Sequence, residues 1–112
     1  MSHDSAVEDM IQAKGLTAPR ITVDHIFAMQ KRVMYRFERP VGTTSTFCHA
    51  YLDDAFYLTS GHSACVSVVN FDEQLGRAIA ERNAREQVTK RLWELEGYRL
   101  YSQLNGEPLI DG

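Results

Sequence analysis

Between residues 71 and 95 apolar side chains return every three to four positions: Phe71, Leu75, Ile79, Ala80, Ala84, Val88, Leu92 and Leu95. That spacing places them on one face of a helix. Asn70 is a good N-cap for it, and Glu73 follows three residues later, as in a capping box. Gly97 supplies a stop. The pattern predicts a helix of roughly 25 residues, about 37 Å long at 1.5 Å per residue. So long a helix is expected to pack on a sheet and to reach beyond it.

Upstream the period changes. Ser5 to Lys14 reads as a helix with Val7, Met10 and Ile11 on one side and Gly15 as its stop. Thr17, Ala18, Pro19 and Arg20 form a loop, and Thr22 caps a second short helix through Ile26, Phe27 and Gln30. Three strand-like runs follow. Val33, Tyr35 and Phe37 alternate with Met34, Arg36 and Glu38; Phe47 to Leu52 comes after a turn at Gly42; Phe56 and Leu58 come after Asp53-Asp54, a two-residue hairpin signal. Gly61 is read as the end of this meander. After the long helix, Tyr98, Leu100 and Tyr101 alternate weakly, Asn105-Gly106 signals a turn, and Pro108 to Ile110 could be extended. Strands followed by one long helix predict an α+β domain over residues 1–112. Its parts are a small antiparallel β-meander, a long C-terminal helix packed against it, and short N-terminal helices. The core is thin, which favours a homo-oligomer, a dimer or a hexamer.

Composition narrows the function classes. The chain has 112 residues, 44% of them hydrophobic, and a formal net charge of -3. Binding to DNA normally calls for a basic excess, so a DNA partner is not expected. No apolar run approaches the roughly 18 residues of a membrane span. Cys48 and Cys65 stand in a chain with no signal-peptide pattern, so both are expected as free thiols in a reducing cytoplasm.

Catalytic chemistry is weakly represented. His3, His25, His49 and His62 lack metal-ligand spacing to the cysteines, and Cys48 and His49, adjacent on a strand, point to opposite faces. No metal or cofactor is expected. Ser63 and Cys65 have no base named by the sequence, the glycines form no phosphate loop, and Asp53-Asp54 reads as a solvated turn. Binding chemistry is better represented. Asn83 borders the apolar stripe; it is either a helix-edge amide on a neighbouring backbone or a ligand-recognising one. Phe71 is either core or a stacking surface at the helix start. Arg20, beside Pro19, is either a salt-bridge partner or a phosphate clamp. Arg77, Arg82, Arg85 and Arg91 dot the remaining faces, interleaved with Glu81 and Glu86. Trp93 and Tyr98 are read as core or oligomer contacts.

Three segments together resemble a family of small tailed-phage proteins long described as of unknown function. They are Gly15 to Thr22; Ser63 to Val66 with Asn70-Phe71-Asp72 and Gly76-Arg77; and Asn83-Ala84 with Trp93 to Tyr98. The chain departs from the family at Asp53-Asp54-Ala55, where Asn-Gly is usual, and at Ser60-Gly61-His62. The family is similar to the first described class of anti-Thoeris proteins, sponges that hold a cyclic ADP-ribose isomer; some relatives also hold cyclic oligonucleotides. The resemblance implies a phage anti-defence protein in the host cell cytoplasm that sequesters a cyclic adenine nucleotide without cleaving it, between protomers. It places ligand contacts at Phe71, Arg77, Asn83 and Arg99, with Arg20 as a further candidate. The rival reading is a phage accessory protein that docks on a host or phage protein. A nucleotide-cleaving enzyme would need an acid–base pair near Asn83, and the sequence offers none.

Overall fold

The computed structural model describes residues 5–15 and 18–106. His3, Leu16, Thr17 and the extended piece expected at Pro108 to Ile110 lie outside the described residues. The elements are α1 (Ser5–Ala13), α2 (Val23–Gln30), β1 (Val33–Glu38), β2 (Ser45–Leu52), β3 (Phe56–Ala64) and α3 (Glu73–Leu104). The strands form one antiparallel meander in the order β1-β2-β3. This is the α+β architecture expected from the pattern.

Local chemistry explains the joints. Thr22 caps α2, its side chain accepting from the His25 N–H at 3.1 Å. Asp53 and Asp54 both take positive φ, 55° and 58°, the left-handed pair that a two-residue hairpin needs. They are more than a solvated turn. Asp53 accepts two hydrogen bonds from the Arg32 guanidinium (2.9 and 2.5 Å), and Asp54 two from Arg36 (3.0 and 2.8 Å). These arginines hold both carboxyls below the usual carboxylate range, chiefly by hydrogen bonding. One β-bulge between Ala50 and Tyr51 shifts the β2–β3 register.

The core lies between one sheet face and the helices. Ile26 and Met29 of α2, Val33, Ala50 and Leu58 of the sheet, and Val88 and Leu92 of α3 form its larger part. Cys48, Ala80 and Ala84 form the smaller, flanked by Tyr35 and Phe37. Burial pushes the Cys48 thiol up to about 11, and both cysteines are free.

Gly61 does not end the meander; β3 continues to Ala64. Here α3 crosses the strand backbone to backbone. A Cβ on Gly61 would stand 2.1 Å from the Ala80 carbonyl oxygen and 2.3 Å from the Ala84 nitrogen. Asn83 locks the crossing by donating from Nδ2 to the His62 carbonyl at 3.0 Å.

The long helix differs from its expected bounds at both ends. Its N-cap is Asp72, which accepts from the Leu75 N–H at 3.0 Å, and not Asn70. Asn70 and Phe71 instead donate their N–H groups back to Ser67 and Val68, closing a turn before the helix. Gly97 lies inside the helix, which has 32 residues and ends at the Asn105 cap. Tyr98, Leu100 and Tyr101 are helical and not extended. A single interior glycine costs only about 1 kcal/mol, and the left-handed stop comes at Gly106 (φ 64°). The buried line runs Ala80, Ala84, Val88, Leu92, Glu96, an unbroken step of four. Leu75, expected on that face, is 59% exposed.

The two glycines make opposite predictions. Gly61→Ala should lower the unfolding free energy by at least about 2 kcal/mol, since backbone must move to admit the methyl. A Cβ on Gly97 meets nothing within 4 Å. Gly97→Ala should stabilise by about 0.5–1 kcal/mol. Thermal unfolding of the two variants beside the parent checks both signs.

Candidate nucleotide-binding cleft

The end of β1, the start of β2, the end of β3 and the first turns of α3 converge on a pair of adjoining clefts. One, of about 180 Å³, is lined by Thr44, Ser63, Phe71, Leu75, Gly76 and Ile79 among others. The other, of about 100 Å³, is lined by Phe37, Glu38, Arg39, Thr46, Glu73 and Arg77. The connecting chain is tied down by side chains. Ser63 donates to the Gly76 carbonyl at 2.7 Å, and the Thr44 hydroxyl donates to the Cys65 carbonyl. Gly76 keeps the wall between the clefts thin, because a Cβ there would stand 3.0 Å from Thr46 Oγ1 and 3.7 Å from the Phe71 ring.

Two guanidiniums are held over aromatic rings at this place. Arg39 lies 5.2 Å from the Phe71 ring centroid, and Arg77 lies 4.4 Å from that of Phe37. Arg39 also donates to the Thr43 carbonyl at 3.1 Å. Each arginine is thus pre-positioned with donors left for an anion. Thr46 also lines the second cleft. It is 2% exposed, and its hydroxyl has no hydrogen-bond partner. A buried orphan hydroxyl costs free energy unless something bonds to it. Glu38, Glu73 and Asp72 also line the clefts, so the arginines do not work in a purely positive field.

The expected site residues fall into two groups. Phe71 and Arg77 are together at the start of α3, and Phe71 is half-buried. Asn83 sits just beyond, with its amide nitrogen on His62, the neighbouring-backbone arrangement. Arg20 and Arg99 are at the other end. Arg20 pairs with Glu8 at 2.6 Å. Arg99 pairs with Glu96 at 3.1 Å, and Glu96 also bonds His25 of α2 at 2.5 Å. From residue 73 to residue 96, α3 rises about 35 Å. A single chain therefore does not bring Arg20 and Arg99 to Phe71. The cleft beside Arg20, about 330 Å³, is lined by Glu8, Asp9 and Asp24. Three carboxylates against one guanidinium do not favour a phosphate.

Arg39 and Thr46 are missing from the sequence-based site. Arg39 reads as a loop residue before Pro40, and an unpaired hydroxyl leaves no trace in a sequence. Among the described residues no cluster of three or more His, Cys, Asp or Glu could hold a metal ion, and no helix is long and apolar enough to cross a membrane.

A family model for phage proteins, described as the N4 Gp49/phage Sf6 gene 66 family, matches residues 20–104. No curated protein and no solved structure matches the chain. The matched span runs from Arg20 to the last residue of α3, so it includes the meander, the crossing at Gly61 and both clefts. The chain belongs to the phage protein (N4 Gp49/phage Sf6 gene 66) family.

Proposed function

We propose that this phage protein is an anti-defence sponge. It binds a cyclic adenine-containing nucleotide signal in the host cytoplasm, a cyclic ADP-ribose isomer or a cyclic oligonucleotide, and holds it uncleaved. The reading rests on the resemblance to anti-Thoeris proteins. One observation supports it: an aromatic ring, two held guanidiniums and an unpaired buried hydroxyl lie near one another at the start of α3. Phe71 would stack the base, Arg39 and Arg77 would hold phosphate, and Thr46 would complete its hydrogen bonding in the complex. Asn83 lines neither cleft and its Nδ2 is held by His62, so only its Oδ1 is left for the expected amide contact.

The clefts are small for this task. Ligand sites usually enclose about 300–1,000 Å³, and nanomolar retention asks for about 12 kcal/mol. A second copy of the chain would close the site, which is why a homo-oligomer belongs to the proposal. The carboxyl-terminal turns of α3 leave Tyr101 and Leu104 exposed and available for such contact. Arg99 and Arg20 then reach a ligand only if the partner supplies them.

One observation favours the rival reading, docking to a host or phage protein. Val66, Val68 and Val69, in the loop before α3, are almost fully exposed beside the cleft. Contiguous exposed apolar surface marks interaction sites.

Calorimetric titration with cyclic ADP-ribose isomers and cyclic dinucleotides separates the two. The sponge reading predicts saturable heat that falls roughly ten- to a hundredfold in affinity with Arg77→Ala or Arg39→Ala. Absence of heat with every nucleotide, in a folded protein, would favour protein docking. Thr46→Val gives a sharper sign. Without ligand it should stabilise the protein by up to about 1 kcal/mol, by removing an unpaired hydroxyl, while weakening the nucleotide. A melting scan and a titration on the same sample read both effects.

A further inference from the structure

The sheet face turned away from α3 carries an unbroken hydrogen-bonded row of side chains across all three strands. Glu38 of β1 bonds His49 Nε2 of β2 at 2.8 Å. His49 Nδ1 bonds Ser60 Oγ of β3 at 2.7 Å. Ser60 Oγ bonds the Tyr57 hydroxyl at 2.8 Å. The bulge makes this row. It inserts an extra residue into β3, so that Ser60 faces His49 in register.

The donors can be assigned from chemistry. An ionised carboxylate only accepts, so His49 Nε2 carries the ring proton and donates a hydrogen bond to Glu38. Nδ1 is then an acceptor, and Ser60 must donate to it. The Ser60 proton being used, the Tyr57 hydroxyl donates to Ser60. The result is a serine hydroxyl held against a neutral imidazole whose tautomer a carboxylate fixes, the arrangement that activates a serine nucleophile. The Tyr57 proton, given to Ser60 Oγ at rest, is released for the neighbouring carbonyl oxygen once Ser60 Oγ bonds to carbon and that oxygen takes the negative charge. The other charged group at this point is Arg36, opposite His49 in register and occupied by Asp54.

We propose that Ser60 and His49 are the nucleophile and base of an ester-cleaving site on this face, with Glu38 as a positioning residue. The site is open, and Phe47 stacks beside the imidazole at 5.9 Å, so the substrate class is a small carboxylic ester with an aromatic leaving group. Ser60 Oγ forms a bond to the carbonyl carbon while its proton passes to His49 Nδ1. The bond to the leaving oxygen breaks, and that oxygen takes the proton. Water then attacks the acyl-serine by the same route, releasing the acid and restoring Ser60. Ser60 and His49 line neither nucleotide cleft; Glu38, at the sheet edge, is the one residue that the two places share.

The test uses the full chain with p-nitrophenyl acetate and with a fluorophosphonate probe. The expected result is a burst of p-nitrophenol and a probe adduct located by mass spectrometry at Ser60, in preference to Ser45, Ser63 and Ser67. Ser60→Ala removes both signals. His49→Asn lowers the labelling rate by roughly a hundredfold. Glu38→Gln lowers the limiting labelling rate several-fold and leaves the probe's half-saturation concentration unchanged. Labelling spread evenly over the serines, or a Ser60 adduct whose rate His49→Asn leaves unchanged in a folded chain, overturns the proposal. A burst that persists in Ser60→Ala does the same, and that test does not depend on the histidine variant folding.

Discussion

The backbone contact between α3 and β3 at Gly61 is the constraint on which the other features depend. Only hydrogen at that Cα lets Ala80 and Ala84 settle on the strand, with the Asn83 amide closing the seam. Such close approach fixes the helix laterally and along its axis. It sets which residues project toward the sheet's edge, and so places Phe71 and Arg77 against Phe37, Arg39 and Thr46. It also commits one face of a three-stranded sheet to the helix and leaves the other to its own side-chain network. The bulge at Ala50/Tyr51 belongs to the same design, because the shifted register that aligns Ser60 with His49 also brings Gly61 opposite Cys48, under the helix.

Much of this fold is legible in the chain. The alternation in Val33–Glu38, the paired aspartates at 53 and 54, and Thr22 before Val23 each state a local preference that the tertiary structure keeps. The helix ends were harder to read, for identifiable reasons. Asn70 and Asp72 are comparable caps, and the choice between them is made by a turn at 67–71 that no periodicity announces. Gly97 resembles a stop, yet the chain beyond it is composed of residues that helices accept. Gly61 reads as punctuation because a close backbone approach and a strand end use the same residue.

The candidate site was legible in part. Phe71 and Arg77 were named from the sequence, and the fold sets them at adjoining clefts. Arg39 and Thr46 were not, because their significance comes from strand register and from a missing partner, both tertiary facts. Arg20 and Arg99 were named as well, and each is engaged in an ion pair about 35 Å of helix away. A helix of this length displays two chemically distinct ends. If one ligand is to touch both, two chains must overlap with the start of one helix near the end of another. This geometric demand, more than the small core, motivates an oligomeric sponge.

Native mass spectrometry of the protein saturated with a cyclic ADP-ribose isomer tests that account most directly. The account predicts a dimer or higher oligomer that carries ligand at the mass of the intact cyclic nucleotide. A monomer without adduct, or an adduct with the mass of a hydrolysed nucleotide, would contradict it.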